Sequence, residues 1–65
     1  MEILENMAAQ LAATCNAANI GGIRLTQLFG ELEYKMLHMQ HYSQLSVLAT
    51  INSIVAEMER CGVSI

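Results

Sequence analysis

Apolar residues recur at spacings of three and four over most of this chain, which is the pattern of helices that bury one face. Leu4, Met7, Leu11, Cys15 and Ala18 fall on one face of a helix expected from about Glu2 to about Ala18. Glu2 and Glu5 sit in its first turn, where they favour the helix dipole. Asn19-Ile20-Gly21-Gly22 then interrupts the pattern. Glycine, and next to it asparagine, tolerates the positive φ that a helix C-terminus asks for. Leu25, Leu28, Phe29, Leu32 and Met36 predict a second helix from about Ile23 to about Leu37, with Glu31 and Lys35 as an i,i+4 pair. Gly30 lies inside that helix at a cost of about 1 kcal/mol relative to alanine, and it would allow a neighbouring helix to come close.

The next boundary carries no glycine or proline, so one long continuous helix is the rival reading. The apolar phase argues for a turn. Continuing the stripe of Leu32, Met36 and Met39 leads to Ser43 and Ser46, whereas apolar positions restart at Leu45, Leu48, Ile51, Val55 and Met58. A turn is therefore expected between about residues 38 and 42, and a third helix from about His41 to about Arg60. Gly62 suits the cap of that helix. Val63-Ser64-Ile65 would be a frayed tail or a docked apolar end. Strict alternation is absent, so strands are not expected. The fold class is all-α, a single domain over residues 1–65 with three helices in an antiparallel up-down bundle.

Composition adds a constraint on assembly. Hydrophobic residues make up 54% of the 65 and charged residues 14%, against roughly 25% charged in an average chain. A domain this small has a modest core and much surface, and it should be more polar than average. The simplest account is that another subunit covers part of its apolar surface, as in a homodimer, although alanine supplies much of the count. Net charge is −3, with only Arg24, Lys35 and Arg60 basic. No nucleic-acid footprint and no polybasic lipid-binding patch follow from that. No run of apolar residues is long enough to span a membrane. The Met-Glu-Ile-Leu-Glu start lacks a basic signal-peptide region, so the expected location is cytoplasmic. Cys15 and Cys61 form no CxxC pair and read as two small buried thiols in a reducing compartment.

Candidate chemistry is sparse. His38 and His41, three apart, could share a metal on a helix face, but nothing in the sequence supplies further ligands beside them. They read instead as exposed histidines at a helix junction. Glu31 with Glu33, and Glu57 with Glu59, lie two apart and face different directions on a helix. The serines and threonines belong to no nucleophile motif, and Gly21-Gly22 is too short for a phosphate loop. No enzyme activity, cofactor or metal is expected. Among the methionines, Met36 and Met58 read as core and Met39 as exposed.

Residues 16–33 carry a resemblance. Asn19-Ile20-Gly21-Gly22 is followed by Arg24-Leu25, Leu28 and Leu32-Glu33, and the last helix holds Leu48, Ile51 and Ile54-Val55-Ala56-Glu57-Met58. Over about two thirds of the chain this resembles the histidine-containing phosphotransfer (HPt) family. Members carry a His-x-Leu-Lys-Gly motif on one helix of a four-helix bundle and exchange phosphate with receiver domains and histidine kinases. Counting back from Gly21 places the histidine position at Leu11, the lysine position at Thr14 and the glycine position at Cys15. Leucine has no imidazole nitrogen to attack an acyl phosphate, and threonine offers no cation to phosphoryl oxygens. His38 and His41 do not stand in, since neither is followed by x-Leu-Lys-Gly. The helix that precedes the histidine helix in the family is also missing.

The resemblance implies an HPt-like module that cannot be phosphorylated and has an apolar groove left open. Its partners would be a second copy, a receiver domain or a histidine kinase. The binding surface it implies comprises Leu11, Thr14, Cys15 and Ala18, with Gln27 and Glu31 on the next helix. The alternative is a structural homo-oligomeric bundle unrelated to phosphorelay.

Overall fold

The computed structural model describes residues 2–63. It is all-helical: α1 spans Glu2–Ala17, α2 spans Ile23–Leu37 and α3 spans Gln44–Arg60, with no strand among the described residues.

Two of the helices stop by the same device. Asn19, at φ 55°, takes the left-handed conformation after α1. Its N–H donates to the Asn16 carbonyl at 3.1 Å, and the Ile20 N–H donates to the Cys15 carbonyl at 2.9 Å. Gly62, at φ 90°, does the same after α3, with Gly62 N–H on the Glu59 carbonyl at 3.0 Å and Val63 N–H on the Met58 carbonyl at 3.1 Å. This paired-bond stop satisfies carbonyls that the helix leaves open, and it turns the next apolar residue back toward the helix. Ile20 and Val63 both pack against the core. Val63 is therefore docked rather than frayed, while Ser64 and Ile65 lie outside the described residues.

The turn between α2 and α3 covers residues 38–43. α3 begins at Gln44 rather than at the expected His41, because Ser43 is the cap. Its backbone is extended and its Oγ accepts the Ser46 N–H at 3.1 Å, satisfying one of the free donors of the first turn. Before it, His41 N–H closes on the His38 carbonyl at 2.8 Å.

The buried core consists of Leu4, Leu11 and Cys15 from α1, Leu25, Leu28 and Leu32 from α2, and Val47, Ile51, Ile54 and Met58 from α3. Met7, Phe29 and Met36 are half-buried against it. The expected stripe of α3 needs correction. Leu45 is 78% exposed, while Val47, Thr50 and Ile54 are buried and Leu48 and Val55 only partly so. The buried face of α3 therefore runs through 47, 51, 54 and 58. Ala18 lies exposed beyond the end of α1, and Met39 packs half-buried against the core instead of standing exposed.

α3 is the helix that both others touch: its contacts with α2 are the most extensive, followed by those with α1. α1 and α2 touch each other least. Residues of α1 and α3 line common clefts at matching levels. Ile3 and Leu4 face Gln44 and Leu48, and Met7, Leu11 and Thr14 face Ile51 and Val55. A polar bridge ties α2 to α3. Lys35 Nζ donates to Thr50 Oγ1 at 3.0 Å and to the Ser46 carbonyl at 3.4 Å, and lies 3.5 Å from a Glu31 carboxylate oxygen. The Thr50 hydroxyl in turn donates to the Ser46 carbonyl at 3.3 Å. Thr50, only 3% exposed, is the one buried polar residue of the described chain, and it is satisfied on both counts.

Candidate functional site: the groove between α1 and α2

α3 packs against both α1 and α2, while those two touch each other least and leave open space between them. Two cavities run along this seam. The first, about 500 Å³, lies among Ala8, Ala9 and Ala12 of α1 and Phe29, Met36 and Leu37 of α2. The second, about 480 Å³, continues it past Cys15, Leu25 and Gly30. Ala12, Phe29 and Glu33 border both, so the two form one groove.

The walls differ by sequence. α1 presents alanines, which keep its side low. α2 presents the larger Phe29 and Met36, both half-buried, and Leu37, which is 71% exposed. Gly30 contributes bare backbone: a Cβ built there would meet nothing within 4 Å. Two carboxylates flank the apolar floor, Glu5 on the α1 wall and Glu33 on the α2 wall, and both are exposed. None of the chain's three cations lines the groove. Lys35 is engaged with Glu31, and Arg60 lies 3.8 Å from Glu57.

The residues expected to form a binding surface divide. Leu11 and Cys15 are buried in the core, where Leu4, Leu11 and Cys15 form the inward face of α1. Thr14 is exposed on the α3 side of α1, and its hydroxyl donates to the Gln10 carbonyl at 2.8 Å. Ala18 is exposed in the turn. Gln27 and Glu31 are exposed one turn apart on α2; Glu31 is drawn to Lys35 on the side that meets α3. Cys15 alone of the six borders the groove, and the structure does not gather them into one surface. The groove residues were missed because alanines score weakly in a search for an apolar stripe. The signal available was the run Ala8-Ala9 with Ala12, adjacent to the Leu4–Leu11–Cys15 face of the same helix.

Comparison with family models, with curated proteins and with solved structures finds no match.

The remaining chemistry-bearing groups lie elsewhere. His38 stacks on Tyr34 with ring centroids 4.1 Å apart, and its Nδ1 donates to the Tyr34 carbonyl at 2.8 Å, at the end of α2. Tyr42 meets Tyr34 edge-on at 6.1 Å. His38 is half-buried by this packing, whereas His41 is exposed. Among the described residues, no three histidine, cysteine or acidic side chains gather as a metal-ligand set. Cys15 is buried as expected, but Cys61 is exposed. Burial pushes the Cys15 thiol up from its ordinary pKa, and the nearby Cys61 adds to that shift. No helix among the described residues is long and apolar enough to cross a membrane.

Proposed function

We propose that this chain is a non-catalytic helical binding module of HPt-like design, unable to accept phosphate, that acts by protein–protein association. The observation that carries this reading is the apolar groove between α1 and α2, opposite α3. A four-helix bundle places each helix beside two others. α3 already sits beside α1 and α2, so the groove is the fourth corner. The matched levels of α1 and α3 support an up-down-up course for the three helices. Leu11, at the position the resemblance assigns to the phosphorylated histidine, is both aliphatic and buried, which supports loss of phosphotransfer. The two free thiols fit a cytoplasmic setting.

Two association partners follow from the reading: a second copy, or a receiver domain or histidine kinase. The test combines light scattering over a dilution series with calorimetric titration against purified receiver and kinase domains. Association of either kind that Phe29→Glu abolishes is the expected result. A monomer indifferent to both classes of domain would overturn the proposal. A purely structural homo-oligomer is the second reading, favoured by exposed Ile3, Leu37 and Leu45 beside the 38–43 turn. Self-association untouched by Phe29→Glu but lost in Leu45→Glu would select it.

A further inference from the structure

The rim of the groove narrows the choice of occupant. Resting on the reading that the groove is a docking site, we infer that it takes one amphipathic helix from another protein, with a narrow apolar stripe flanked on both sides by lysine or arginine.

Three features carry this. The first is shape. The groove extends from the level of Glu5 to that of Asn16 on α1, and from Leu37 back to Leu25 on α2. At 1.5 Å per residue that is roughly 17 Å, or about three helical turns. An open trough of this length between two helices fits a third helix, not a loop or a flat surface.

The second is close approach. Gly30 lies within α2 with ordinary helical geometry, and nothing in the chain fills the space beside it. Alanine would fit there and would favour the helix. The bare backbone therefore has no use inside the free protein, while it lets an incoming helix come nearer on that wall. Ala12 of α1 lines the same part of the groove, so both walls are low there.

The third is charge. Glu5 and Glu33 stand on opposite walls, and among the described residues neither has an ion-pair partner. A helix lying between them has one flank against each carboxylate, so cations on both flanks are favoured and acidic flanks repelled. A second copy is a poor occupant on this ground. Its net charge is −3, and two of its three cations are engaged with its own glutamates. Copies docked groove to groove would bring four rim carboxylates together.

The test uses two synthetic peptides of roughly 16 residues, long enough to populate a helix. Both carry an Ala/Leu stripe at i, i+3, i+4 and i+7; one is flanked by lysines and the other by glutamates. The expected result by fluorescence titration of the full chain is binding of the lysine peptide about tenfold tighter than the glutamate peptide. Glu5→Gln with Glu33→Gln should reduce that preference to about twofold. The matched control Glu57→Gln with Glu59→Gln, which removes the same charge from α3, should leave most of it. Gly30→Leu should abolish binding of both peptides while the circular dichroism stays helical. Equal affinity for the two peptides, or equal loss of preference in the control, would overturn the charge inference and leave the groove reading standing. A dimer that Phe29→Glu dissociates would also overturn it, in favour of a second copy. Binding of neither peptide, with no effect of Gly30→Leu or Phe29→Glu on any association, would overturn the groove reading itself.

Discussion

The two faces of α2 are built on opposite plans. Toward α3 it is closed: Leu28 and Leu32 pack against the α3 core residues, and Lys35 reaches across to Thr50 and the Ser46 carbonyl, with Tyr42 beneath its ammonium at 5.8 Å. Toward α1 it is open: Phe29 and Met36 are left half-covered, Gly30 is bare, and no hydrogen bond is seen between side chains of α1 and α2 among the described residues. α3 packs against both of its neighbours, whereas α2 is closed on the α3 side only and open on the other.

The comparison breaks most sharply through the closed side. Ile54 is fully buried on α3, so Ile54→Ala should cost about 2–5 kcal/mol, enough to unfold a marginal domain. Urea denaturation would show it as a lower midpoint with an unchanged slope. Phe29→Ala in the groove should cost much less, since its ring is already partly exposed. If the two costs were equal, the distinction between closed and open faces would fail.

Next in size is the polar bridge. Lys35→Met keeps the aliphatic stem but leaves Thr50 and the Ser46 carbonyl without their cationic donor. A loss of about 1 kcal/mol is expected. Thr50 keeps its own bond to the Ser46 carbonyl, which limits the damage.

The smallest expected effect concerns Cys15, on the inner edge of the groove. Its pKa is raised in the folded chain by burial, with Cys61 adding to it. The unfolded chain therefore gives up this proton first. The stabilising contribution is complete below the unfolded thiol pKa of about 8.5 and is lost as pH climbs from there through the folded value. Thermal melts of the chain and of Cys15→Ala should differ in slope above that pH and run parallel below it.

The sequence made the first two helices readable because their punctuation and their apolar faces agree. Asn19 and the Gly21-Gly22 pair mark the end of α1, and Leu25, Leu28 and Leu32 fall at helical spacing on α2. The α3 stripe holds at Ile51 and Met58, with Leu48 and Val55 packed against the core, and departs at Leu45 for a physical reason. Leu45 and Leu48 look like the start of a stripe, yet the Ser43 cap sets where the helix begins, and its buried face includes a threonine. The run Val47, Ile51, Ile54, Met58 is spaced four, three and four, and Thr50 joins this buried face with its hydroxyl bonded to the Ser46 carbonyl and to Lys35 of another helix. The same limit applied to the candidate site. Leu11 and Cys15 could be aligned with a family motif, but only packing reveals that they point inward. The groove depends on which pair of helices stands apart, and periodicity within one helix carries no information on that.

The arrangement also orders the events of folding. α2 and α3 meet across the turn at 38–43, so their contact closes a short loop, whereas α1 can reach α3 only after α2 has been traversed. Loop closure costs more over the longer span, and local contacts form sooner. On that ground the α2–α3 pair is expected to form first and α1 to dock last, an order that slowed folding in Ile54→Val and faster unfolding in Leu4→Ala would check. The helix that arrives last is also the one that supplies the low alanine wall, so the groove comes into being only at the final step of folding.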